Sequence, residues 1–287
     1  MSRLKLYYSL TKPGVLYGNA LTAAAGFLFA SKGNINGWLF VALCLGTTFV
    51  IASACVLNNY LDQDIDQKMA RTKNRALVQG TVSGRGAVAF STILGILGLI
   101  ILAVFTNPLV IAIGIIGFID YVVLYGMLSK RLSMYGTLVG SISGATPILA
   151  GYCAVTGTLD TGAIIVFAIL FLWQIPEFYS IAVYRQAEYK AAHVPVVSVI
   201  KGITYTKRQI TAYTFLFVIA SVLLFVYGFT GYVYLIVMAG FGCYWLRLAI
   251  AGLRTHHNDP WARAMFRFSL IILLAFCGLI SIDAWLP

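Results

Sequence analysis

The feature that most constrains this chain is a succession of apolar stretches, each long enough to cross a lipid bilayer. A ~30 Å hydrocarbon core takes about 20 residues of helix. Stretches of that kind fall near 14–31, 37–60, 86–105, 108–128, 134–154, 161–184, 211–229, 231–253 and 263–285. In lipid every backbone polar group must be satisfied within its own segment, so the spans are expected as helices. Only 10% of the 287 residues are charged, whereas a soluble domain carries roughly a quarter. The expected fold is all-α: one membrane-embedded domain over 1–287, polytopic, with about nine transmembrane helices. The first stretch could pass for a signal peptide, but nothing soluble follows it, so it is read as a retained span.

Lys and Arg number 20 against nine Asp and Glu, a formal net charge of +11. On a soluble protein that excess would point to nucleic acid. Here it follows the spans. With the N-terminus cytosolic, the N-terminal segment and the regions after helices two, four, six and eight hold nineteen of the 20 cations, and Lys32 alone lies outside. This is the positive-inside pattern, which a miscounted span would scramble. Membrane lipid is therefore an expected partner and nucleic acid is not. The outer links are short and almost uncharged, while the inner links after helices two and six are long and polar, so function is expected on the cytosolic face. The five cysteines lie in apolar stretches without short paired spacing, as packing residues rather than a disulfide framework or zinc site. Gly140 and Gly144 make a small-xxx-small pair for close helix packing. Pro147 and Pro176 are expected to kink their helices beside a central cavity.

Helix two ends in Asn58-Asn59-Tyr60-Leu61-Asp62-Gln63-Asp64-Ile65-Asp66. Asn58, Asp62 and Asp66 recur every four residues and so share one helical face, bordered by Asn59. Two carboxylates one turn apart repel unless a cation joins them. Hard oxygen ligands of this type suit Mg²⁺, which completes its shell with water and phosphate oxygens. A solvated acidic helix end is the plainer reading, but three of the nine acids fall within these five residues. Asp64 points off the shared face and is expected to be solvated. A calcium loop is excluded, because Gln67 stands at the glycine position and Lys73 at the final glutamate. Arg71, Lys73 and Arg75 follow at once, with Lys130 and Arg131 after helix four. Arginine forks and lysine point charges beside a metal site fit a polyanionic ligand such as a diphosphate.

A second polar segment runs from Trp173-Gln174-Ile175-Pro176-Glu177 to Tyr184-Arg185-Gln186-Ala187-Glu188-Tyr189. Glu177 sits inside an apolar span and needs a partner, a metal or a proton. Glu188 is either a further metal ligand or the ion-pair partner of Arg185. Asp120, the other intramembrane acid, either lines the cavity or bonds a neighbouring helix. His193, His256 and His257 read as loop residues.

The Asn58-Asn59-x-x-Asp62-x-x-x-Asp66 run resembles the first motif of the UbiA-type membrane prenyltransferases. With Lys68-Met69 and Arg71-Thr72-Lys73-Asn74-Arg75 it is similar to one branch of them, the protohaem IX farnesyltransferases. That likeness includes Thr11-Lys12-Pro13-Gly14, Tyr135-Gly136-Thr137-Leu138, Gly151–Gly157 and Trp173-Gln174-x-Pro176. It implies nine helices around a central cavity and Mg²⁺-dependent transfer of farnesyl from farnesyl diphosphate to a vinyl group of haem B. The product, haem O, would serve terminal oxidases in a bacterial inner membrane. The implied roles are metal and diphosphate binding for Asn58, Asn59, Asp62 and Asp66, and diphosphate contact for Arg71 and Arg75. Tyr184, Arg185 and Glu188 fall in the second motif. Tyr60, Tyr121, Tyr125 and Trp173 are candidate liners for an allylic cation, and Glu177 is a candidate base. A homo-oligomer, or a contact with the oxidase pathway, stays open.

Two departures stand out. The family usually has His after Pro176, where this chain has Glu177. Its second motif usually reads Asp-Tyr with a later Gly-Ile-Pro, where this chain has Glu188-Tyr189 and His193-Val194-Pro195. Rival readings are a prenyltransferase acting on a quinone precursor or chlorin, and an ion-coupled transporter using Asp120 and Glu177. A CDP-alcohol phosphotransferase is excluded, because its Asp-Gly-x-x-Ala-Arg element is absent.

Overall fold

The computed structural model describes residues 2–286, and no strand occurs among them. Nine helices in it are long and apolar enough to span a membrane. They are α1 (Pro13–Ser31), α2 (Gly37–Leu61), α3 (Gly84–Phe105), α4 (Pro108–Leu132), α5 (Gly136–Thr156), α6 (Thr161–Tyr184), α7 (Gly202–Val226), α8 (Tyr232–Gly252) and α9 (Asn258–Trp285). Eight of them start within five residues of the expected positions. The exception is α7, which begins nine residues early. Lys207 and Arg208 depress the hydropathy of its first turns, yet the helix continues through them.

Local chemistry sets the ends. Asn36, Ser83, Asn107 and Asp160 each accept a hydrogen bond from a backbone N–H three residues on, which caps α2, α3, α4 and α6. Gly157 closes α5 with φ +68°, a left-handed turn that favours glycine. With lipid as the solvent, apolar side chains also cover the outside. On α3, Ile93, Ile96, Leu97, Ile100 and Val104 face outward, and Ala87, Ser91, Gly98 and Leu102 face α2. The small residues Ala87, Ser91 and Gly98 bring the two helices close enough for the Ser53 and Ser91 hydroxyls to bond at 3.0 Å.

The same device joins α1 to α5. A Cβ on Gly26 would lie 2.2 Å from the Ile148 carbonyl oxygen, and one on Gly151 would lie 2.0 Å from that of Ala23. Gly140 and Gly144 act as expected. They receive the Tyr125 ring and the Gln174 amide, which a Cβ would meet at 2.9 and 1.8 Å. All five cysteines are free. Pro147 and Pro176 lie inside α5 and α6. The carbonyl of Ser143, which Pro147 cannot bond, accepts instead from the Thr146 hydroxyl at 2.8 Å.

One local departure has no mark in composition. From Asp120 to Ser129 the backbone of α4 is π-helical. The wider turn carries Tyr121, Tyr125 and Lys130 toward the middle of the molecule, where α1, α2, α4, α5, α6 and α9 surround a cavity of about 890 Å³.

Candidate active site

Asn58, Asp62 and Asp66 stay in register although α2 stops at Leu61. The amide of Asp62 bonds the Asn58 carbonyl at 3.0 Å, and that of Asp66 bonds the Asp62 carbonyl at 2.8 Å. All three side chains reach the cavity and are at least 95% buried. Each of the three side chains has a cationic neighbour. Lys130 Nζ lies 2.5 Å from Asp62 Oδ2, and Arg75 Nη1 lies 2.6 Å from Asp66 Oδ2. Lys12 Nζ donates to Asn58 Oδ1. Arg71 also lines this end of the cavity.

Lys12 is a residue that sequence reasoning missed as part of the site, having counted it as a topological charge and as a member of the Thr11-Lys12-Pro13-Gly14 run. It sits between a surface helix (Arg3–Leu10) and α1 with φ 52°, a left-handed conformation that is strained for a lysine. Asn59 explains how the strain is held. Its side chain does not reach the cavity; its Nδ2 donates to the Leu10 carbonyl at 2.7 Å and ties the N-terminal helix to α2. Burial pushes the Lys12 ammonium down to about 8, with Lys130 and Arg75 lowering it further and Cys55 and Asp62 opposing.

Three other predicted residues also lie off the cavity wall. Arg131 forms a fork with Asp64 at 2.7 and 2.8 Å and donates to the Leu61 carbonyl at 2.6 Å. Asp64 is therefore ion-paired as well as solvated, and Arg131 holds its carboxyl down at about 2. Lys73 is exposed. Glu188 pairs with Arg185 at 2.8 Å, and its Oε2 is buried without a partner. Arg185 and Tyr184 do line the cavity, with the guanidinium over the Tyr184 ring. Arg263 of α9 covers the same ring at 4.6 Å, a contact no motif announced.

The two polar links meet over the mouth of the cavity. Ile65 and Met69 from one bury against Ala192 and Val194 from the other. His193 stands between those last two with φ 57°. That left-handed backbone gives a physical reason for the glycine that the family pattern has there.

Deeper in, Tyr121 and Tyr125 stack at 5.7 Å and line the wall together with Trp173, whereas Tyr60 lies outside against α3. Lys12 and Lys130 each lie 5.9 Å from one of the two stacked rings. Glu177 faces the cavity and is 8% exposed, and its carboxylate forms no ion pair or hydrogen bond among the described residues. Asp120 resolves toward the neighbouring helix: its Oδ2 accepts from the Ser143 amide at 3.0 Å. The far end is apolar, with Leu102, Ile113, Leu270 and Leu273.

The donor set fits a hard divalent cation. Asp62 Oδ1 is buried without a hydrogen-bond partner among the described residues, with Arg131 Nη2 3.9 Å away, and Asp66 stands one turn on. No group of three or more His, Cys, Asp and Glu is clustered for metal binding among the described residues. The protein thus offers two carboxylates and the Asn58 amide, and leaves other positions to a ligand's oxygens and water, as Mg²⁺ sites usually do.

Known proteins resemble this chain in sequence and in fold. The model of the UbiA prenyltransferase family matches residues 19–271. The chain belongs to that family. Within the UbiA family, the protoheme IX farnesyltransferase of Citrobacter koseri is 46% identical over 283 residues, covering 99% of this chain and 96% of that protein. The enzyme of the same name from Yersinia pseudotuberculosis is 45% identical, covering 98% and 95%. A solved structure of digeranylgeranylglyceryl phosphate synthase superposes with a TM-score of 0.83 at 23% identity, covering 99% of both chains. A UbiA homologue from Archaeoglobus fulgidus bound to GPP and Mg²⁺ superposes at 0.73 with 17% identity, covering 96% and 99%. These two likenesses show the fold, and the nine apolar helices together with the family make the chain an integral membrane protein.

Proposed function

We propose that this chain transfers a farnesyl group from farnesyl diphosphate to a vinyl group of haem B, forming haem O at the cytosolic face of a bacterial inner membrane. The observation that carries the reading is the polarity of one cavity. Its mouth holds two buried carboxylates among Lys12, Arg71, Arg75 and Lys130, and its depth is apolar and aromatic. Four cations against two carboxylates leave an excess of positive charge, which suits a diphosphate. The volume of about 890 Å³ stands at the upper end of the ~300–1,000 Å³ usual for small-molecule sites, as two substrates require. Full-length similarity to protoheme IX farnesyltransferases supports haem as the acceptor.

Asn58, Asp62 and Asp66 would hold Mg²⁺, which when bound offsets the charge of the diphosphate and stabilises it as a leaving group. Around it the chain's own groups act. Arg71, Arg75, Lys12 and Lys130 meet the negative charge that grows as the allylic C–O bond breaks. The faces of Tyr121 and Tyr125 stabilise the resulting carbocation, and the loops joined over the mouth exclude water from it. The vinyl π bond supplies the electron pair for the new C–C bond. Water then adds to the cation left beside the macrocycle, and Glu177, which has no ion-pair partner among the described residues, takes the proton that this water releases.

Purified protein given farnesyl diphosphate, haem B and Mg²⁺ should yield a product with the haem O mass and pyrophosphate in equal amount. Turnover of an aromatic quinone precursor with none of haem B would overturn the acceptor assignment.

A further inference from the structure

A second cavity, of about 410 Å³, lies away from the first, between the start of α7 and the link from α8 to α9. Its polar lining is Thr204, Lys207, Arg208, Arg254, Thr255, His256 and Asn258. The five ion pairs among the described residues all fall at or beside the mouth of the first cavity, on Asp62, Asp64, Asp66 and Glu188. Lys207, Arg208 and Arg254 belong to none of the five. Asp259, the acid nearest in sequence, lies outside the lining and forms no ion pair among the described residues.

The pocket is constructed, not a gap between loose ends. Lys207 is only 5% exposed, and its Nζ donates to the Thr255 carbonyl at 2.8 Å and lies 5.3 Å from the Trp261 ring. Trp261 is in turn fixed by a bond from its Nε1 to the Leu248 carbonyl at 2.9 Å. Gly252 makes room for it, since a Cβ there would fall 2.1 Å from the indole. A buried ammonium with three donors and a single carbonyl partner is thereby aimed along a wall whose rim carries two exposed guanidiniums. Burying such a charge without an anion is costly.

We propose that this pocket binds a phosphate group, supplied by the head of an anionic phospholipid in the leaflet at the basic face. The Lys207 ammonium and the Arg208 and Arg254 forks are the donors that phosphate oxygens take, and basic pockets between membrane helices at this depth suit lipid headgroups. Leu253 and Ile203 at the edge offer apolar surface to the first acyl carbons.

The test uses the full chain in detergent, delipidated, with bound lipid counted by native mass spectrometry and thermal unfolding followed in parallel. Phosphatidylglycerol should bind and raise the midpoint, and phosphatidylcholine should not. Arg208→Ala/Arg254→Ala should weaken phosphatidylglycerol binding about tenfold or more, while Arg3→Ala/Lys5→Ala, two exposed cations removed elsewhere, should leave it within twofold. Both pairs replace exposed side chains, so folding is retained, and the unfolding midpoint without lipid checks this. Protection by millimolar inorganic phosphate, lost in the Arg208/Arg254 variant, would keep the phosphate site and transfer its source to solution. Equal uptake of phosphatidylcholine, or equal loss in the two double variants, would overturn the proposal.

Discussion

Asp62 is the residue on which the proposed chemistry turns. Its side chain is 2% exposed, one oxygen is held 2.5 Å from Lys130 Nζ and the other has no hydrogen-bond partner. Replacing it by Asn keeps the shape and removes the charge. Asp62→Asn should therefore lower pyrophosphate release by about 10²–10³-fold with the helical circular dichroism unchanged; unaltered release at saturating Mg²⁺ would remove Asp62 from the metal site. Glu177 makes a different demand, because the proposed mechanism places it after the diphosphate has left. In Glu177→Gln, pyrophosphate release should persist within a few fold while haem O formation falls about 10²-fold. If both rates fell together, Glu177 would belong to the ionisation step instead. The same scale shows what single positions conceal. Lys12 reads as one more inner cation until its left-handed backbone and its bond to Asn58 are seen. Arg131 reads as a phosphate contact until it is found on Asp64, 67 residues earlier.

Between helices the controlling quantity is how closely backbones approach. The α1–α5 seam places Gly151 so near the Ala23 carbonyl that no side chain fits, and α1 begins at the turn that aims Lys12. Gly151→Val should destabilise the protein by about 1–3 kcal/mol, seen as a lower unfolding midpoint in detergent, and should reduce pyrophosphate release through displacement of α1. A midpoint within 1 °C of the parent, as an order of magnitude, would mean that the seam yields freely. The spans themselves were legible because hydropathy is a property of composition, and the face of Asn58, Asp62 and Asp66 was legible because helical periodicity is local. The π-helical turn at Asp120–Ser129 was not, since a slipped hydrogen-bond register leaves no compositional trace. The early start of α7 was hidden for the opposite reason: Lys207 and Arg208 look like link residues, and only the Thr255 carbonyl and Trp261 ring across the groove explain a charged helical turn.

At the scale of the whole molecule, charge decides which way the bundle sits. Nine crossings put the two ends of the chain on opposite sides, and the regions carrying nineteen of the 20 cations all fall on one of them. At roughly 1 kcal/mol for each Lys or Arg near an anionic leaflet, so large an imbalance dominates insertion. The same face carries the mouth of the cavity, where on the proposed reading Mg²⁺ and released pyrophosphate would exchange with solvent, so orientation and chemistry would have to agree. Lys32 and Lys73 report on them independently, both being exposed. A membrane-impermeant amine reagent applied to spheroplasts should label Lys32 and spare Lys73, and the pattern should reverse in inverted vesicles. Labelling of Lys73 from outside would turn the bundle over, place the diphosphate site away from the cytosol and undo the proposed source of its substrates, whatever the activity of the purified protein.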